Sequence, residues 1–182
     1  DRELLINTYW HSRTILILKE MKQVGGIIKP ILKKYGVPQD FIYLAVAESG
    51  LQNDVVSPSG AKGIWQFLES TGENYGLEIN EYVDERLNYE KATEAACKYL
   101  LESKQKFGSW TLAAASYNVG QGGLEGAMKN QKVKSYYDLY LNTETSRYIF
   151  RILALKELMK NPESYGFYVA STDQYPMWKY HS

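Results

Sequence analysis

Residues 41–47 read FIYLAVA, apolar at nearly every position, and stop abruptly at Glu48-Ser49-Gly50. A surface helix shows one apolar stripe, so a run greasy on all sides has to be surrounded by protein. The rest of the chain must therefore fold around this segment. Pro38 suits the start of a helix here, and Gly50 suits the left-handed residue that closes one. Glu48 then falls in the last turn, at the negative end of the helix dipole, where an ionised carboxylate is disfavoured. Apolar neighbours add a desolvation penalty, so both effects raise its pKa and keep it a proton donor nearer neutral pH. A helix-end carboxylate paired with a Lys or Arg fits the same position, because structural ion pairs also perturb pKa values.

The 182 residues suffice for one domain with a substantial core. Lys and Arg number 21, as do Asp and Glu. That balance leaves no basic footprint for nucleic acid or an anionic membrane. No apolar run approaches the roughly 20 residues of a membrane span. Cys97 is the sole cysteine, which excludes an internal disulfide, and its helical context makes it a small buried apolar residue. His11 and His181 sit near opposite ends, and no Cys or His cluster has metal-ligand spacing. Neither a metal nor another cofactor is expected. The chain begins at Asp1 without Met or a signal-like stretch, so a mature or trimmed piece is expected, any export signal or lipid anchor having been removed. Tyr outnumbers Phe 16 to 5, a bias that suits core margins, interfaces and sugar-binding clefts alike.

Residues 4 to about 35 carry helical spacing through Leu5, Tyr9, Leu16, Met21, Ile27, Ile31 and Leu32. Gly25-Gly26 and Pro30 are expected to break or kink that helix. A turn at residues 37–40 resets the chain before the buried helix. Residues 50–63 read as loop, with Ser57-Pro58-Ser59-Gly60 in the chemistry of a type I turn. Ser70-Thr71-Gly72-Glu73 predicts the cap of a short helix stopping at Tyr75-Gly76. A longer helix is expected over residues 89–107, ended by Gly108, and Ser109 caps the next, over 110–118. The glycine-rich residues 120–126 lead into a short helix near 124–130. A last helix follows Asn142-Thr143, with Tyr148, Ile152, Leu155 and Leu158 at helical spacing. The tail after Pro162 shows no period. Period-two alternation is absent, so the fold class is all-α, with at most a small β-hairpin near residues 55–66. No internal repeat or linker is visible, and one domain over 1–182 is expected, its core at about 36–160 and a tail at 161–182.

Four separated motifs in one order carry more. They are Glu48-Ser49-Gly50; Ser57-Pro58-Ser59-Gly60-Ala61-Lys62-Gly63-Ile64-Trp65-Gln66; Ala115-Ser116-Tyr117-Asn118-Val119-Gly120; and Glu144-Thr145-Ser146-Arg147-Tyr148-Ile149. The set resembles the catalytic (SLT) domain of the family 1 lytic transglycosylases, most closely their membrane-bound D type through residues 38–51, 71–77 and 148–158. The likeness covers nearly the whole chain and is thinnest after Pro162. It implies a lysozyme-like α fold with a cleft between two lobes. It also implies cleavage of the β-1,4 bond between N-acetylmuramic acid and N-acetylglucosamine in peptidoglycan, leaving a 1,6-anhydro ring. D-type members usually carry wall-binding LysM repeats after this domain, and none is visible here.

On this resemblance Glu48 is the single acid and base. Ordinary glycosidases use two carboxyl groups. Asp54, Glu69, Asp84 and Glu144 are the other candidates, and none sits where a nucleophile is demanded. In the family the muramic acid's own 6-hydroxyl attacks instead, so one carboxyl donates a proton and then takes one back. Ser57 matches a serine that contacts the muramic acid, though a turn-forming Ser bonding its own loop fits too. Gln66 matches a residue that binds substrate or supports Glu48, or is a buried amide serving the loop. Tyr117 matches the tyrosine whose hydroxyl sits beside the acid, with a core Tyr as the alternative. Asn118 shapes the following loop or touches substrate. Glu144 matches an acidic residue reaching the muramic acid pocket, although a first-turn carboxylate is favoured by the dipole anyway. Tyr148 resembles a cleft-lining aromatic or is simply core. Ser49 supports the loop, Trp65 is core, and Gly60 and Gly63 answer backbone needs.

The glycine-rich residues 120–126 superficially resemble a phosphate cradle but follow a helix and lack the Gly-Lys-Ser/Thr ending, so that reading is rejected. Lys129 to Lys134 form a solvated face or meet acidic peptide stems. Peptidoglycan glycan strands are the expected partner, in a monomer of the bacterial cell envelope, periplasmic and in full length anchored to the outer membrane; other cell-wall enzymes are candidate partners. Two rivals stand: a goose-type-lysozyme-like muramidase that adds water to the same bond, and a non-catalytic peptidoglycan-binding module.

Overall fold

A computed structural model describes residues 11–176 of the chain. The expected helical positions Leu5 and Tyr9, together with His181, lie outside the described residues. Among the described residues seven α-helices follow in order: α1 (His11–Lys34), α2 (Ile42–Ser49), α3 (Glu69–Asn74), α4 (Tyr89–Phe107), α5 (Trp110–Val119), α6 (Gln121–Gln131) and α7 (Thr143–Lys160). The only β-pairing among the described residues is three isolated bridges, Val56–Lys62, Lys62–Phe67 and Ile79–Asp84. The fold is all-α, as the missing alternation predicts.

Helix α2 is the hub. Every residue in it but Glu48 is buried, and it packs against α1 on one side and α7 on the other. Helix α5 is its counterpart, with residues 112–116 all buried between α4, α6 and α7. Helix α1 closes the far side with Val24, Ile28 and Leu32 in the core, then stops at Gly36 in the left-handed region (φ 72°). There the Gly36 and Val37 amides reach back to the carbonyls of Lys33 (3.1 Å) and Leu32 (2.9 Å), a Schellman ending. Cys97 is fully buried in α4, its thiol pushed up to about 12 by desolvation. A small satellite core of Leu18, Leu158 and Phe167 draws the segment after α7 back onto the bundle.

Three expectations about local structure need correcting. Helix α1 runs unbroken through Gly25-Gly26 and Pro30. A Cβ on Gly25 would lie 3.3 Å from Ile42 Cδ1, so this glycine allows α1 close against α2. Pro30 and Gly26 are both on the exposed side, where water can take the carbonyl that proline leaves unbonded. Ser70 does not cap α3: the N-cap is Leu68, with no side-chain bond. Helix α6 begins at Gln121, so the glycine-rich stretch is itself helical. By contrast, α4 ends on Gly108 (φ 84°) and the Ser109 side chain caps α5 as expected, while α7 starts at Thr143 itself, capped by the Asn142 side chain.

The loop between α2 and α3 is pinned rather than free. Arg86, only 3% exposed, holds Asp84 with its Nε (2.8 Å) and Nη2 (2.7 Å), and donates to the carbonyls of Gly60 (3.2 Å) and Phe67 (3.4 Å). Lys62 adds a second cation to Asp84 at 3.1 Å. These partners lower the Asp84 carboxyl to about 2, the Arg86 hydrogen bonds contributing most. Asp84 is thereby committed to structure, away from any nucleophilic role.

Candidate active site

Glu48 lines a cleft of about 680 Å³, walled by α4, α5, the start of α6 and the 57–68 loop. Its helix ends one residue later at Ser49, followed by Gly50 in the left-handed region (φ 66°). Ser49 is buried and donates its hydroxyl to the carbonyls of Ala45 (3.2 Å) and Ile64 (2.9 Å), tying the helix end to the loop as expected. Arg13 of α1 donates to the Ser49 carbonyl at 3.3 Å. That guanidinium stands at the negative end of α2 and offsets part of its dipole.

Burial raises the Glu48 carboxyl above its ordinary range, and this outweighs everything else acting on it. A hydrogen bond from the Tyr148 hydroxyl and the charge of Arg151 pull the other way, while the charge of Glu144 raises it further. Residues 144, 148 and 151 share one face of α7, at spacings of four and three. One helix face thus presents a carboxylate, a phenol and a guanidinium to a single half-buried acid.

Six of the seven residues singled out from sequence, namely Glu48, Ser57, Gln66, Tyr117, Asn118 and Glu144, line this one cleft. Tyr148 differs. It is 4% exposed and sits behind Glu48 as its hydrogen-bond donor. The Tyr117 hydroxyl instead donates to the Trp65 carbonyl at 2.8 Å. Tyr117 remains close enough for the charge of Glu48 to add to the burial that raises its own pKa.

Ser57 accepts from the Ala61 amide at 3.0 Å and meets the Ser59 hydroxyl at 2.9 Å, so it also builds its turn, closed by Gly60 N–H to Ser57 carbonyl at 2.9 Å. Gln66, in the left-handed region (φ 50°), donates both amide hydrogens to the loop, to Val55 (3.0 Å) and Gly63 (2.9 Å) carbonyls. Asn118 accepts from the Thr145 hydroxyl at 2.8 Å and donates to Glu144 at 3.5 Å, joining the end of α5 to the first turn of α7. Among the other candidate carboxylates, Glu144 alone shares the cleft with Glu48.

Sequence reading missed two parts of the site. One is the charged flank, Arg13 and Arg151, for which only the 144–148–151 spacing was a signal. The other is an aromatic wall. Ring centroids run from Phe67 to Tyr117 (5.9 Å), Tyr117 to Tyr99 (5.0 Å) and Tyr99 to Tyr75 (5.3 Å). Such rings offer apolar faces with polar edges, which suits sugar rings. No group of three His, Cys, Asp or Glu among the described residues can hold a metal ion.

The combination defines a class: an α-helical domain with a protonatable glutamate at the base of an open, tyrosine-walled cleft. The Transglycosylase SLT domain family matches residues 26–140. The chain is 32% identical over 172 residues to the membrane-bound lytic murein transglycosylase D of Escherichia coli strain K12, and equally to that of strain O6:H1, covering 92% of this chain and 37% of each relative. The chain belongs to the Transglycosylase SLT domain family. It spans 37% of the length of these curated relatives.

Proposed function

We propose that this domain cleaves the β-1,4 bond between N-acetylmuramic acid and N-acetylglucosamine in peptidoglycan, closing a 1,6-anhydro ring on the muramic acid. The observation that carries the reading is Glu48 itself, half-buried, raised in pKa by desolvation and hydrogen-bonded by Tyr148 at the base of the cleft. A raised carboxyl delivers its proton to the departing glycosidic oxygen, and the resulting carboxylate then removes one from the 6-hydroxyl as that oxygen bonds to the anomeric carbon. Attack within one sugar ring needs positioning more than an activated water. The Tyr75–Tyr99–Tyr117–Phe67 wall, Ser57, the Gln66 carbonyl oxygen, Asn118 and Glu144 supply that positioning. Tyr148 orients the acid from behind. We further propose that the chain acts as one unit and a monomer in the cell envelope, alongside other wall enzymes.

Glu144 in the same cleft favours one alternative, in which a second carboxylate directs a water and the product is a hydrolysed end. Mass spectrometry of digested sacculi separates the two, because an anhydro end resists borohydride reduction and a hydrolysed end does not. Anhydro-ended fragments are expected from the native chain and no turnover from Glu48→Gln. Equal turnover by that variant overturns the reading.

A further inference from the structure

A second groove, of about 450 Å³, opens where α4 and α6 end. Its floor is Phe107, Met128 and Val133, half-buried side chains, and its rim carries Lys106, Lys129, Lys132 and Lys134. Glu125 is the one acidic residue lining it and is taken by Lys106 at 2.8 Å. Lys132 and Lys134 make no ion pair among the described residues, in a chain whose total charge is zero. Lysines near helix ends often serve the last carbonyls, as Lys104 does by bonding Gly108 at 2.5 Å. Among the described residues, Lys129, Lys132 and Lys134 make no such bond.

Lys132 adds a separate observation. It caps α6 in the left-handed region (φ 57°, ψ 34°). Its backbone N–H closes the helix on the Met128 carbonyl, which leaves its side chain on the groove rim.

We propose that this groove seats the anionic peptide branches of the same glycan strand whose backbone lies in the cleft. This rests on the proposed substrate. Helix α6 joins the two places: Gln121 lines the cleft and Lys129 and Lys132 line the groove. Eleven helical residues span ~16 Å. An extended peptide of about four or five residues reaches ~13–18 Å, comparable to the length of α6 that separates the cleft rim at Gln121 from the groove. Its carboxylates meet lysines and its small aliphatic side chains meet Phe107, Met128 and Val133. Charge and apolarity both match.

The test uses the chain carrying Glu48→Gln, which binds without cutting, cosedimented with insoluble sacculi. One batch keeps its peptides and the other is stripped to bare glycan by an amidase. Binding to the peptide-bearing batch is expected to be tighter and to weaken with salt. The triple change Lys129→Glu, Lys132→Glu, Lys134→Glu, checked for an unaltered Tm, is expected to weaken that binding roughly fivefold or more while leaving bare-glycan binding unchanged. The triple Lys→Arg variant is expected to restore it. Equal binding to both batches, or a charge-reversed variant that still prefers peptides, overturns the proposal. Failure of the Glu48-intact chain to cut either batch defeats the cleft reading instead, and is scored separately from the binding.

Discussion

Three neighbours on α7 act on the Glu48 carboxyl, and each has a definite sign. Arg151 favours the carboxylate, Glu144 opposes it, and Tyr148 favours it by donating to it. For a general acid, the alkaline limb of the rate profile follows the acid's pKa. Arg151→Gln should therefore move that limb to higher pH and Glu144→Gln to lower pH. Profiles of initial rate on sacculi that stay fixed in both variants would show that Glu48 is not the group being read. Tyr148→Phe should also move the limb upward, because it removes a bond to the charged form, but it should cost rate as well. Loss of a positioned hydrogen bond to a charged group corresponds to about 1.5–3 kcal/mol, or roughly 10–150-fold. A variant with native rate and an unshifted limb would remove Tyr148 from the site.

At the scale of elements, the pinned loop is the part most exposed to single changes. A Cβ on Gly63 would sit 2.1 Å from the Arg86 carbonyl oxygen, at φ 76°. Gly60 has a similar φ of 82° but nothing within 4 Å. Gly60→Ala should cost about 1 kcal/mol for backbone alone. Gly63→Ala should cost ~4 kcal/mol or more, a fall in Tm of roughly 8–16 °C for a chain of this size. Similar melting temperatures for the two would show that the loop does not depend on this approach. The elements themselves were legible wherever local chemistry decides them. Gly108, Ser109, Asn142 and Gly50 end or begin helices as their side chains dictate. They were illegible where tertiary packing overrides propensity: Gly25 keeps α1 whole because Ile42 lies against it, and residues 121–126 are helical despite their glycines. The site was legible as a set of residues but less so as a set of bonds. Motif order brings Glu48, Ser57, Gln66 and Tyr117 together, whereas the choice of Tyr148 over Tyr117 as the donor to Glu48 depends on how α7 crosses α2. No local pattern carries that.

For the whole molecule, two carboxyls pull the stability in opposite directions along the pH scale. Asp84 falls from its ordinary 3.8 to about 2 on folding. Its contribution is fully present above 3.8 and drains away as the pH falls toward 2. Glu48 is raised above its ordinary 4.5 by burial. The folded state is therefore favoured by this group below 4.5, and loses that advantage as rising pH forces a charge into the site. Between these limits both contributions stand, so melting temperature should peak in mildly acidic solution and fall on either side. Glu48 contributes to the alkaline fall, and Glu20, also raised by burial, contributes in the same direction. Glu48→Gln keeps the shape and removes the charge, so it should raise Tm at pH 8 by about 2–4 °C for each kcal/mol relieved and leave it unchanged near pH 4. Asp84→Asn should do the reverse in kind. It leaves the Arg86 guanidinium, 3% exposed, without its carboxylate, a loss of about 3–5 kcal/mol, and flattens the acid side of the profile. Calorimetric melts from pH 3 to 9 for the three chains read both limbs at once. A Glu48→Gln gain as large at pH 4 as at pH 8 would mean that the native site bears no cost for ionising its acid, and the proton donor proposed for the cleft would lose its physical basis.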